Sequence, residues 1–129
     1  MQTCKFTITT AVDGEENTLI KQGNIDFSQD AVVLRYDEEG ARVYITLQKG
    51  RAMIVRQGDY SLSLPLEEGK QTEGALGLGG ADGKISLQTY TVKYAKEGKL
   101  FKLALRYDLI FPQDERQKMQ LNLRATIKE

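Results

Sequence analysis

Apolar and polar residues alternate along most of this chain, in runs broken by glycine-containing turns. Phe6, Ile8, Thr10 and Val12 alternate with Lys5, Thr7, Thr9 and Ala11 before Asp13-Gly14. Period-2 alternation marks a half-buried strand, and Asp-Gly tolerates the positive φ values that tight hairpins require. A second strand is expected over Leu19 to Phe27, with a bulge or bend at Gly23. A third runs from Ala31 to Tyr36 and is ended by Asp37-Glu38-Glu39-Gly40. Val43, Ile45 and Leu47 share one face of the fourth, and Ala52 to Arg56 forms the fifth, closed by Gln57-Gly58-Asp59. Tyr60, Leu62, Leu64 and Leu66 alternate on the sixth, where Pro65, lacking an N–H, makes an edge or a stop.

Gln71 to Gly83 is the least regular stretch and reads as a flexible, glycine-rich hairpin or rim loop. Beyond it, Ile85, Leu87 and Thr89 share one parity while Val92 and Tyr94 take the other, which predicts a bulge near Tyr90-Thr91. Phe101, Leu103, Leu105, Tyr107, Leu109 and Phe111 alternate strictly until Pro112. Met119, Leu121, Leu123, Ala125 and Ile127 do the same against polar neighbours. On a helix these last residues would fall on opposite sides, whereas a strand puts them on one face. About eight to ten strands without a helix leave one apolar face per strand to be covered, so the sheet must close or stack on itself. The expected fold is therefore all-β, an antiparallel up-and-down barrel forming a single domain over residues 1–129.

Composition narrows the chemistry. The chain has 18 basic and 18 acidic residues and no histidine. Zero net charge lacks the basic excess of a nucleic-acid binder, so no nucleic-acid partner is expected. Without histidine there is no Ser-His or Cys-His nucleophile and no imidazole ligation. The lone Cys4 excludes an internal disulfide and multi-cysteine metal sites, and suits a reducing compartment. Cys4 also lacks the preceding apolar run of a lipidation signal and reads as a half-buried strand residue. No stretch reaches the ~20 apolar residues that span a bilayer. The expectation is a cytoplasmic protein with no membrane partner, no metal and no cofactor.

Candidate site residues are few. Gly74 to Gly80 lacks the following helix and G-K-[ST] lysine of a phosphate loop. The carboxylates of Asp37-Glu38-Glu39, Glu67-Glu68 and Asp114-Glu115 coincide with turns and read as solvated. Asp108 and Arg106 are expected on the outer surface, where Arg124 lies within reach of a cross-strand pair. Arg56 shares the parity of Ala52 and Ile54 and is placed at the barrel mouth. Its planar fork suits a carboxylate or phosphate on a ligand, or alternatively ties the Gln57-Gly58 turn. Tyr60 and Tyr107 fall on apolar faces and present hydroxyls toward an interior. Arg56, Tyr60 and Tyr107 are thus the ligand-binding candidates, and no catalytic residue is proposed.

Arg56-Gln57-Gly58, the strand Ile85-Ser86-Leu87-Gln88-Thr89 and Leu105-Arg106-Tyr107-Asp108-Leu109 occur here in a recognisable order. On these segments the chain resembles the bacterial DUF1934 (YwiB-like) family over most of its length, most closely from Arg42 to Ile127. The resemblance implies a calycin-like (lipocalin-like) barrel and carries no reaction or ligand with it. The G-x-W motif of true lipocalins is missing, since the chain has no tryptophan.

The function expected is a non-catalytic binding module for a small apolar or amphipathic ligand. The alternative is a solid scaffold that acts through protein contacts or homodimerisation, with Tyr44, Tyr90 and Ile110 as exposed contributors. A set of bulky inward residues decides between them, since a barrel filled by Phe6, Ile8, Leu62, Leu64, Phe101, Leu103, Leu105, Phe111, Leu121 and Leu123 leaves no room for an enclosed ligand and tells against that reading.

Overall fold

The computed structural model describes residues 2–128. Ten strands follow one another: β1 (Gln2–Val12), β2 (Glu15–Phe27), β3 (Val32–Glu38), β4 (Ala41–Gln48) and β5 (Arg51–Gly58). The second half holds β6 (Tyr60–Glu67), β7 (Gln71–Leu78), β8 (Ala81–Glu97), β9 (Leu100–Ile110) and β10 (Arg116–Ile127). A short 3-10 turn, Pro112–Asp114, separates the last two. Each strand pairs antiparallel with its sequence neighbours, and β1 pairs β10 from Cys4↔Ile127 to Val12↔Met119, so the sheet closes into a barrel. The expected all-β, up-and-down barrel is what the chain forms.

Alternation sorts the side chains. Inward residues of every strand except β7 join one core cluster, with Phe6, Ile25, Leu34, Ile45, Leu87, Phe101 and Leu105 among the best covered. Rings meet edge-on within it, Phe6 with Tyr36 and Phe27 with Phe101, each at 5.8 Å. Burying such side chains stabilises by about 1.5–3 kcal/mol each.

Several expectations need correction. Of the two forms expected for Gln71 to Gly83, the hairpin is the one that occurs: β7 and the start of β8 pair regularly, turned by Gly79 and Gly80 at φ 58° and 84°. Gly74 sits inside it because a Cβ there would press on the Ser63 carbonyl and on Leu64 and Ile85. No residue is skipped at Gly23; the β1–β2 ladder runs through it without a bulge. Glycine is needed there because a Cβ would strike the Arg35 carbonyl and the Phe6 ring. The strand does not stop at Pro65, which pairs with Met53 on β5, but the expected edge is there: pairing with β7 covers only Tyr60 to Ser63, so Pro65 has no ladder partner on that side. Phe111 is exposed at the barrel end and not part of the core, since the strand ends at Ile110 and the Pro112 turn follows. Asp108 is outward but buried, at 6% exposure, and Arg124 stands opposite Lys102 instead of near a carboxylate. The expected bulge is present, as a register shift between Thr89 and Thr91.

The barrel ends differ. One carries the start of β1 and the end of β10; the other, here called the mouth, carries the turns at Asp13-Gly14, Glu39-Gly40, Asp59, Gly79-Gly80 and Pro112–Asp114. At the mouth the wall flares. β2 pairs β1 from Glu15 to Ile25, yet pairs β3 only from Gly23 onward, leaving one backbone edge of residues 15–22 without a strand partner. Gly23 is therefore the point where β2 leaves the closed wall, directly over Phe6. We predict that Gly23→Ala lowers stability by roughly 2–3 kcal/mol in urea unfolding, through overpacking against Phe6 and the Arg35 carbonyl.

Candidate functional site

The mouth is organised around Arg56. Gly58 has no room for a Cβ against Gly40 and Ala41, so the end of β5 packs closely on the β3–β4 turn and brings Glu38 within reach. Arg56 is 9% exposed. Its Nη1 donates to the Tyr60 carbonyl at 2.8 Å, Nη2 meets Asp59 Oδ1 at 3.0 Å and Nε meets Glu38 Oε2 at 3.4 Å. The Tyr60 ring lies 3.7 Å from the guanidinium carbon, a cation–π contact. Burial opposes the charge, but the bond to Asp59, the electrostatic interaction with Tyr60 and the bond to Glu38 outweigh it and hold the Arg56 pKa above its usual value. In return the guanidinium keeps the Asp59 carboxyl below the usual carboxylate range. Two carboxylates face one cation here, so the cluster carries a net negative charge while its donors are engaged within the chain.

Behind this cluster lie two phenols. Tyr107, on β9, is buried, and burial pushes its pKa up to about 12. Tyr36, on β3, is also buried, and its pKa is raised by burial first and then by the charges of Glu38 and Tyr107. The structure thus brings Arg56 and Tyr60 into contact and leaves Tyr107 across the barrel, related to them through Tyr36 and Glu38. Tyr36, Glu38 and Asp59 were not among the expected site residues. The signal for the first two was present, since Val32, Leu34, Tyr36 and Glu38 share one parity.

Around this polar group the inward rows end in exposed apolar side chains. Leu19, Tyr60, Leu76, Leu78 and Phe111 all stand at the mouth, with Leu78 62% exposed. Leu62, Val12 and Ile85 are half-buried beneath them. The turn that holds Phe111 is strained: Gln113 and Asp114 both adopt left-handed backbone, at φ 70° and 61°.

On the outer wall, the bulge at Tyr90 produces a second constellation. The Tyr90 hydroxyl donates to Asp108 Oδ2 at 2.7 Å, and Arg116 Nη1 approaches the same oxygen at 3.3 Å. The Asp108 bond, followed by burial, raises the Tyr90 pKa. A depression of about 380 Å³ lies beside them, lined in part by Arg106, Lys118 and Gln120. The expected outer patch of Tyr44, Tyr90 and Ile110 is not continuous, because Tyr44 sits on β4 on the opposite wall. Turn carboxylates are partly structural: Glu68 Oε2 accepts the Val92 N–H and Asp13 Oδ1 accepts the Lys118 N–H. Among the described residues, no group of three metal-ligating side chains occurs, and no helix is long and apolar enough to cross a membrane.

Two predictions follow from the buried titrating groups and the mouth cluster. The Cys4 thiol is pushed up to about 11 by burial, and the Tyr107 phenol to about 12, from 9.0 and 10.0. Raised acids favour the folded state below their unfolded pKa, and that contribution is lost as pH rises through the folded values. Stability measured by urea midpoint should therefore hold to about pH 9 and fall between pH 9 and 12. A second expectation is that Arg56→Lys lowers the melting temperature more than Arg42→Lys. Lysine cannot reproduce the three-way fork, whereas Arg42 makes one exposed bond to Asp37.

Comparison with known proteins places this geometry in a family. No curated protein sequence matches the chain. Among solved structures, the ywiB protein from Bacillus subtilis superposes with a TM-score of 0.83 at 11% identity, covering 99% of this chain and 93% of that one. At that identity the likeness is one of fold. A family model described as a domain of unknown function, DUF1934, matches residues 2–123. The chain belongs to the DUF1934 family.

Proposed function

We propose that this barrel is a non-catalytic binding module that takes a small apolar or amphipathic ligand at its open mouth. The observation that carries the reading is the exposed apolar rim of Leu19, Tyr60, Leu76, Leu78 and Phe111 beside the half-buried Arg56–Glu38 pair. Inward-facing apolar side chains left in water at one end of a packed barrel are what an amphipathic ligand covers. Core side chains occupy the barrel below, so the ligand sits in the rim, its polar end toward Glu38, Asp59 and the Tyr60 carbonyl. A donor group, hydroxyl or amine, suits this acidic surround better than a carboxylate, because Arg56 already faces two carboxylates. The strained Gln113-Asp114 turn supports the same end, as strain gathers at binding sites. A binding role is favoured over a reaction because Arg56 and Asp108 are each engaged in bonds within the chain. The buried free thiol of Cys4 fits work in the cytoplasm.

A second reading, homodimerisation, is favoured by one feature. The free edge of β2 carries Ile20 at 63% exposure, and an unpaired edge is a template for another strand. Native mass spectrometry of the protein purified from cells tests both. The proposal predicts a monomer with added mass that is lost on denaturation, and that is lost also in Leu78→Glu at unchanged melting temperature. A bare dimer, converted to monomer by Ile20→Lys, would transfer the function to the β2 edge.

A further inference from the structure

The outer wall of β8, β9 and β10 carries a cluster of cations that the mouth does not use. On β9, Ala104 is flanked along the strand by Lys102 and Arg106. Across the ladders it faces Lys93 of β8 and Asn122 of β10, while Lys102 stands directly opposite Arg124. Side chains two apart on a strand lie about 7 Å from each other, and those opposite one another about 5 Å. Four cations therefore frame one alanine within the span of a short polyphosphate.

Three features separate this cluster from an ordinary solvated surface. The side chains of Arg42, Arg51, Arg56 and Arg116 each meet a carboxylate, whereas those of Lys93, Lys102, Arg106 and Arg124 meet none among the described residues. Like charges directly opposite on adjacent strands destabilise a sheet, and no carboxylate relieves Lys102 against Arg124. The small side chains of Ala95 and Ala104 leave a depression of about 510 Å³, lined also by Lys93, Lys102, Asn122 and Arg124, with no acidic residue in its lining. Its size is that of a small-molecule site. The floor is apolar and the rim cationic. The wall lacks the row of aromatic platforms on which a single-stranded nucleic acid would stack.

We propose that this depression binds a phosphorylated small molecule, its di- or triphosphate held by Lys93, Lys102 and Arg124 and its flat apolar part resting on Ala95 and Ala104. The site is distinct from the mouth and does not depend on the reading given for it. Guanidinium groups grip phosphate oxygens in a fork, lysines add point charge, and Asn122 supplies a neutral donor.

The test is titration of the full-length, isotope-labelled protein with inorganic tripolyphosphate and, separately, with adenosine triphosphate, followed by NMR amide shifts. Saturable shifts centred on residues 93–95, 102–106 and 120–124 are expected. Adenosine triphosphate should bind more tightly than tripolyphosphate, because only the nucleotide covers the floor. Lys102→Glu should weaken both at least tenfold while leaving the melting temperature equal or higher, since it exchanges a like-charge pair for an opposite one. Arg35→Glu, on the far wall, should change neither. Shifts spread over all surface lysines, or equal weakening by Arg35→Glu, would reduce the cluster to nonspecific charge and overturn the proposal. Binding to a short RNA without binding to either probe would overturn it in favour of a nucleic-acid surface.

Discussion

Everything in this molecule depends on the ladder that joins its first strand to its last. Cys4 to Val12 pair with Ile127 to Met119, so residues from the two ends of the chain complete the wall. Without that ladder the sheet would expose two long edges and one face of its core to water. With it, every strand has two neighbours over part of its length, and the inward rows meet in a single cluster. The contact spans nearly the whole chain, so its loop-closure entropy is the largest of any ladder in the barrel.

Closure also fixes where function is available. An interior packed by Phe6, Ile45, Phe101 and Leu105 offers its chemistry only where the packing stops, at the mouth. There the strands are of unequal length, and β2 turns out of the wall at Gly23. The flare leaves apolar side chains in water and sets the Arg56 cluster beside them. The outer wall holds the second resource. Net charge of zero conceals an uneven distribution, in which Arg42, Arg51, Arg56 and Arg116 meet carboxylates while the cationic side chains around Ala104 meet none among the described residues.

Much of this architecture is legible in the residue pattern. Strict alternation from Phe101 to Tyr107 and from Met119 to Ile127 identifies the strands, because one buried face imposes period 2 on any sequence that survives there. The parity change between Thr89 and Val92 locates the bulge for the same reason. The pattern fails where a residue's environment is made by partners far along the chain. Asp108 reads as a solvated outer residue, yet Tyr90 and Arg116 cover it from the two strands on either side, which only the register reveals. Gly74 and Gly77 read as loop glycines because nothing local reveals that Ser63 and Ser61 press against them from the next strand. The mouth was half visible: Arg56 and Tyr60 lie close in sequence, while Glu38 and Tyr36 join them only through the fold. Like charges at Lys102 and Arg124 become neighbours only once the register is known.

Native-state hydrogen exchange, read amide by amide by NMR, tests the closure most directly. The β1–β10 ladder should exchange only through global unfolding, with protection equal to that of the β9–β10 ladder, while the β2 amides of residues 15–22 that point away from β1 exchange far faster. Exchange of the β1–β10 amides through a low-energy local opening would show a barrel that is not held shut by its termini, and would contradict this account.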